Sequence, residues 1–201
     1  MKTGNRSRRT TLLGLLTAIL MVFGMTPLGY LNIGPLAISF NMIPVAIGAA
    51  ALGPVGGAIL GAVFGMTSFM QCLGIGGSSA MGVILFDINP LFAFIQRFVP
   101  RVTAGFLVGV IYQAARRFCK PGLAGSIAGF CAALLNTVLF MTALILLFGN
   151  TQYLTDLIAG RNVIVFICTF VGINAVAEAL ATTAVTGALT AALERSGLLR
   201  G

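Results

Sequence analysis

Residues 10–86 read TTLLGLLTAILMVFGMTPLGYLNIGPLAISFNMIPVAIGAAALGPVGGAILGAVFGMTSFMQCLGIGGSSAMGVILF, and this stretch contains no charged side chain. Arg9 precedes it and Asp87 follows it. A soluble domain needs charged side chains to cover its surface, whereas about 20 apolar residues of helix cross the hydrocarbon core of a bilayer. The stretch therefore predicts a membrane protein, and its length is sufficient for about three crossings.

The composition of the whole chain supports this interpretation. Apolar residues make up 58% of the 201 positions and charged residues only 8%. The 26 glycines are more than a soluble helical protein tolerates, but membrane helices accept them. So few charged groups could not cover a water-soluble globule of this size.

Glycine and proline divide the chain into six apolar segments. Gly-Pro pairs, a Gly/Ser tract at 74–79 and an Asn-Pro pair all stop helices. We therefore expect an all-α, polytopic membrane protein, with residues 1–201 forming a single six-helix transmembrane domain after a basic N-terminus at 1–9. The predicted spans are 10–28, 36–52, 55–73, 91–114, 123–148 and 162–192.

The positive charges are grouped beside these spans, at 2–9, 116–120 and 195–200. With six crossings, all three groups fall on one side, and cytoplasmic loops are the ones that carry excess Lys and Arg. This pattern predicts that both termini are cytoplasmic, and it accounts for the net charge of +8 without a nucleic acid. An alternative is that residues 1–24 are a cleaved signal peptide, which would leave five spans.

The residues that most enzymes need are missing. The chain has no histidine, which excludes Ser-His and Cys-His nucleophile pairs and histidine-based metal sites. The Gly/Ser tract at 74–79 lacks the Gly-Lys-Ser/Thr of a phosphate-binding loop. We therefore expect no enzyme activity, no cofactor and no metal, and the energy for any transport must come from an ion gradient or another subunit.

Two arginines lie within the fourth predicted span. Arg97 and Arg101 are four residues apart, so they share one face of a helix. An ionisable side chain inside a membrane is expensive to bury and usually functional. These arginines either bind an anionic ligand, or extend to the outer surface, or pair with Glu178.

Other polar residues at membrane depth follow the same four-residue spacing, notably Asn174 and Glu178 on the sixth span. They could form hydrogen bonds between helices, or they could line a pocket for a small polar metabolite. The predicted substrate-binding residues are Tyr30, Asn41, Arg97, Arg101, Asn136, Asn174 and Glu178.

Small residues also recur every four positions, which lets helices approach closely in lipid. Gly57, Gly61 and Gly65 favour packing inside the protein. Gly14 and Ala18 on the first helix are better placed to contact a partner subunit.

An ordered series of motifs resembles a known family. The series comprises Asn-Met-Ile-Pro-Val-Ala-Ile-Gly at 41–48, Leu-Gly-Pro-Val-Gly-Gly-Ala-Ile-Leu-Gly at 52–61, Phe-Gly-Met-Thr-Ser at 64–68 and Pro-Arg-Val-Thr-Ala-Gly at 100–105. Together with six apolar helices and a basic start, it is similar to the substrate-binding S components of energy-coupling factor (ECF) vitamin transporters. The pantothenate-type members are the most similar.

This resemblance implies a high-affinity vitamin-binding subunit in the plasma membrane of a prokaryotic cell. It implies that a transmembrane coupling component and two cytoplasmic ATPases energise uptake, with Gly14 and Ala18 contacting the coupling component. For pantothenate, Arg97 or Arg101 would hold the carboxylate, while Asn136 and Asn174 would bind the remaining polar groups. The alternatives are an S component for riboflavin or folate, and a membrane assembly subunit with no transport function.

Overall fold

The structure is a computed structural model and describes residues 2–26, 30–33, 36–76, 79–158 and 163–197. Seven α-helices, one short 3₁₀ helix at Gln71–Leu73 and a two-stranded hairpin lie in these ranges. The strands are β1, Tyr30–Ile33, and β2, Leu36–Ser39. The α-helices are α1 Lys2–Met25, α2 Met42–Met70, α3 Ala80–Ile88, α4 Pro90–Ala115, α5 Pro121–Phe148, α6 Gln152–Ile158 and α7 Val163–Arg195.

Several of these helices are long and apolar enough to cross a membrane. The described residues contain five such stretches, which are Ser7–Met25, Met42–Leu73, Pro90–Ala115, Pro121–Phe148 and Ala175–Arg195. The prediction of a helical, multi-span membrane protein is therefore confirmed. The short helices α3 and α6 were not expected, because each is too short to show a full apolar span.

The predicted second span is wrong at its beginning. Residues 36–39 were expected to be helical, but they form β2, which pairs antiparallel with β1 in the register Tyr30 to Ser39. Helix α2 begins only at Met42. Apolar residues of this short segment suit a strand as well as a helix, and pairing with β1 satisfies backbone groups that would otherwise need a helix.

The chain reverses direction at Gly53. This residue has φ 84° and ψ −174° within α2, a conformation that glycine adopts readily. In a straight helix, Ala49 and Gly57 would be about 12 Å apart. A Cβ built on Gly57 instead lies 2.8 Å from Ala49 Cβ. The halves of α2, residues 42–52 and 54–70, therefore pack against each other. The sequence predicts a helix break at this Gly-Pro pair.

The second half of α2 packs on α4 through glycines. A Cβ on Gly57 would overlap the carbonyl oxygen of Gly105, and one on Gly61 would overlap the carbonyl oxygen of Arg101. One turn further on, Gly65 approaches Phe98 Cα, where a Cβ would lie 2.9 Å away. The internal packing predicted for these glycines is confirmed, and it brings the backbone of the arginine segment directly against α2.

The bundle has one basic end. There Arg9 Nη2 donates to the Leu52 carbonyl oxygen at 3.0 Å, beside the reversal of α2. Arg116 Nη2 pairs with Glu194 Oε1 at 3.2 Å, which joins the end of α4 to the end of α7. The exposed carboxylates Asp87, in the last turn of α3, and Asp156, on α6, lie near the opposite end.

Candidate functional site

Helix α4 carries the two predicted arginines into the interior. Asn89 Oδ1 accepts hydrogen bonds from the backbone N–H groups of Leu91 and Phe92, each at 3.1 Å, and Pro90 fits the first helical position. From this start, Arg97 lies about 10 Å and Arg101 about 16 Å along the helix axis. Their side chains are only 6% and 5% exposed, so the alternative that they extend to the surface is wrong.

Arg97 connects three parts of the bundle. Its Nη1 donates to Ser68 Oγ on α2 at 3.4 Å, and its Nη2 donates to Ser79 Oγ, just before α3, at 3.2 Å. Its guanidinium carbon lies 5.4 Å from the centre of the Phe140 ring on α5. In the part of the chain that the structure describes, no carboxylate lies within salt-bridge distance of Arg97.

Arg101 lies one turn deeper and is enclosed by aromatic rings. Its guanidinium carbon is 4.7 Å from the ring centre of Phe64 and 5.0 Å from that of Phe140. Its Nη1 donates to the Arg97 carbonyl oxygen at 2.7 Å. Phe140 therefore contacts both cations, which places them at one site between α2, α4 and α5.

The surroundings of Arg97 do not compensate its charge. A cation–π contact is worth about 0.5 to 2 kcal/mol, and hydroxyl groups provide dipoles rather than a negative charge. Removing a cation from water without an anion costs several kcal/mol, and more at membrane depth. The site is therefore electrostatically suited to receive an anion.

Asn136 and Glu178 form the polar side of the same region. Asn136 Nδ2 donates to Glu178 Oε1 at 3.4 Å, and the two residues are 9% and 7% exposed. Asn136 is one turn before Phe140 on α5, so it shares a helix face with the ring that contacts the arginines. The site thus combines guanidinium groups, an amide and a carboxylate among apolar helices.

The remaining predicted residues have different outcomes. Asn41 is fully buried just before α2. Tyr30 lies in β1 and Asn174 in α7, but their side chains are outside the part that the structure describes. Gly14 and Ala18 are both exposed on α1, and a Cβ on Gly14 would meet no atom of the described residues within 4 Å.

Thr182, four residues after Glu178 on α7, has a structural role. The Thr182 hydroxyl donates to the Glu178 carbonyl oxygen at 2.6 Å. A Cβ on Gly129 of α5 would overlap the Thr182 carbonyl oxygen. At Thr182, α7 therefore makes a close contact with α5 and does not form a binding surface.

Sequence reasoning missed several residues of the site. Nothing in the sequence separates Phe64 and Phe140 from the other 13 of the 15 phenylalanines, because their role depends on long-range contacts. Gln96 could have been found, since an amide inside an apolar span is as unusual as an arginine. The missed residues are Phe64, Ser68, Ser79, Gln96 and Phe140.

Ser79 offers a test of the link between Arg97 and α3. Its Oγ accepts from the Gly82 backbone N–H and from Arg97 Nη2, each at 3.2 Å. We expect Ser79→Ala to destabilise the start of α3 by about 1 kcal/mol and to increase amide hydrogen exchange there. Ser196→Ala, at an exposed position near the basic end, is the control. Unchanged exchange in α3 would contradict the prediction.

The chain is similar to known transport proteins of one family. Residues 8–190 match the family described as "ECF transporter, substrate-specific component". The chain is 27% identical to the pantothenic acid transporter PanT of Lactococcus lactis, over 96% of this chain and 98% of that protein. It is 30% identical to the pantothenate transporter PanT of Leuconostoc mesenteroides, over 92% of this chain and 90% of that protein.

Proposed function

Because the chain belongs to the family of ECF transporter substrate-specific components, we propose that it is a high-affinity pantothenate-binding subunit of such a transporter. Two similar proteins, from L. lactis and L. mesenteroides, are named pantothenate transporters, which favours pantothenate over riboflavin or folate. Pantothenate is a small anion with one carboxylate, one amide and two hydroxyl groups.

The observation that carries this proposal is the buried charge of Arg97. Among the described residues its neighbours are two serine hydroxyls and an aromatic ring, so a ligand carboxylate would supply the missing negative charge. Arg101 is close enough, through Phe140, to add to the positive potential. Asn136 and Glu178 offer hydrogen bonds for the uncharged part of the vitamin.

The same proposal includes the topology. The reversal at Gly53 divides α2 into two packed halves, which supports six crossings in place of five. The basic end holds Arg9 and Arg116, and we place it, with both termini, in the cytoplasm of a prokaryotic cell. The arginine site then lies in the outer half of the plasma membrane, on the side from which a vitamin arrives.

Transport in this proposal depends on further subunits. A transmembrane coupling component and two cytoplasmic ATPases would supply the energy, since the chain has no phosphate-binding motif of its own. Gly14 and Ala18 form an exposed surface of small residues on α1 that suits close packing with the coupling component.

A binding experiment tests the proposal. The purified protein in lipid nanodiscs should bind pantothenate saturably, and its unfolding temperature should rise with the ligand concentration because the ligand binds only the folded state. Riboflavin and folate, tested in parallel, should cause no shift. A shift with either of these would reassign the substrate, and no shift with any vitamin would favour an assembly subunit without transport function.

A further inference from the structure

Gln96 has an unusual environment for a residue in a membrane protein. Its side chain is fully buried, at 0% exposure, and among the residues that the structure describes neither Nε2 nor Oε1 has a hydrogen-bond partner. A primary amide can form up to four hydrogen bonds, and burying one without any is strongly unfavourable. Buried polar groups in folded proteins are nearly always bonded, so an unbonded one requires a specific explanation.

The position of Gln96 on α4 places it on the side of the helix that faces α5. The side of α4 that carries Arg101 and Gly105 faces α2, because Gly57 closely approaches Gly105. On the opposite flank, the Phe92 ring contacts the Phe148 ring of α5 at 6.1 Å. Gln96 is one turn after Phe92 and therefore lies on the same α5 flank, and it directly precedes Arg97 in the chain.

Within the described ranges, two other buried atoms on α4 and α5 also lack a hydrogen-bond partner. They are Nε of Arg97 and Oδ1 of Asn136, which lie on α4 and α5. The two helices are held together at this depth by the contact between Arg97 and Phe140. Open donors and acceptors thus occur on both helices that meet through Arg97 and Phe140, and unbonded buried groups of this kind are expected where a polar ligand binds.

The guanidinium of Arg97 and the amide of Gln96 are suited to different parts of a ligand. A guanidinium is suited to a carboxylate, with which it forms charge-assisted hydrogen bonds. A neutral amide that offers both a donor and an acceptor is suited to hydroxyl and amide groups, whose bonding capacity it matches. A site that bonds such groups rejects ligands that lack them, because its own buried groups then stay unbonded.

We propose that Gln96 is a specificity-determining residue that hydrogen bonds the uncharged hydroxyl and amide portion of the ligand, while Arg97 binds the carboxylate. This inference rests on the proposed function, since it assigns a role within the pantothenate site. It predicts that the two residues contribute to different parts of the same ligand.

Pantothenate and panthenol separate these two roles. Panthenol has a hydroxymethyl group in place of the carboxylate and keeps the amide and both hydroxyls. Gln96→Leu should weaken the binding of both compounds at least ~10-fold, because it removes a contact common to both. The ratio of the two affinities should stay at its wild-type value. Arg97→Met should instead weaken pantothenate strongly and panthenol little, so that the ratio moves toward one.

Gln113→Leu is the matched control, because Gln113 is exposed near the basic end of the same helix. It should bind both compounds as the wild type does. The unfolding temperature of the ligand-free Gln96→Leu variant should be equal to or above that of the wild type, since the substitution removes an unbonded buried amide. This separates lost binding from lost folding.

Three results would overturn the inference. One is wild-type affinity of Gln96→Leu for both compounds. Another is a selective loss of pantothenate, which would place Gln96 at the carboxylate. If the wild-type protein itself binds neither compound, the proposed function fails together with this role, whereas the first two results leave the proposed function intact.

Discussion

Arg97→Met is expected to lower the affinity for pantothenate at least ~100-fold, equivalent to about 2.7 kcal/mol. The guanidinium is 6% exposed, and in the described part of the chain no carboxylate pairs with it, so the ligand would provide its counter-charge. Removing one partner of a buried charge pair typically costs 2 to 5 kcal/mol of binding energy, roughly, because the other charge stays buried and unpaired. Calorimetric titration of the protein in nanodiscs measures the change.

The ligand-free variant should be no less stable than the wild type. Methionine keeps much of the volume and removes a charge that the surrounding described residues compensate poorly, so the unfolding temperature should stay equal or rise. Arg117→Met, at an exposed position beyond the end of α4, is the control and should leave affinity unchanged. Wild-type affinity of Arg97→Met would contradict the proposed site, and Arg97→Lys would show whether charge alone is sufficient.

Gly57→Leu is expected to prevent folding or to destabilise the protein by about 3 kcal/mol or more. A side chain at this position overlaps the carbonyl oxygen of Gly105, and backbone atoms cannot turn aside as a flexible side chain can. The second half of α2 and α4 would have to separate along their shared surface. Thermal unfolding in detergent, followed by size-exclusion chromatography, measures the effect.

Gly14→Leu provides the control for this prediction. Gly14 is also a helical glycine, but a Cβ there meets nothing within 4 Å, so the isolated protein should fold and bind pantothenate normally. In the complete transporter the same substitution should reduce uptake, because α1 presents Gly14 on the surface assigned to the coupling component. A stable Gly57→Leu variant would show that α2 and α4 do not depend on this contact.

Much of the architecture could be predicted because each long helix buries its own backbone hydrogen bonds in lipid. The apolar stretches that became α4 and α5 were predicted at 91–114 and 123–148, and the structure has Pro90–Ala115 and Pro121–Phe148. The hairpin could not be predicted in this way. A four-residue strand such as Leu36–Ser39 shows no periodicity that distinguishes it from the start of a helix.

The candidate site was predictable in part, because charged residues inside an apolar span are visible in the sequence. Arg97 and Arg101 are conspicuous in an apolar span, and their spacing alone places them on one face. Phe140 was not conspicuous, although it contacts both arginines. It lies more than 35 residues away in the chain, and only the packing of α4 against α5 makes it their neighbour.

The amino-acid sequence determined that this protein lies in a membrane, where long helices such as α4 and α5 begin and end, and which side chains carry charge into the apolar region. Those properties depend on the solvent and on neighbours within one or two turns of helix. The tertiary structure alone decided that Arg97 contacts two hydroxyls and a ring, and that Gln96 has no hydrogen-bond partner in the described part of the chain. Whether a buried polar group is satisfied depends on atoms from other helices, so no local pattern can reveal it.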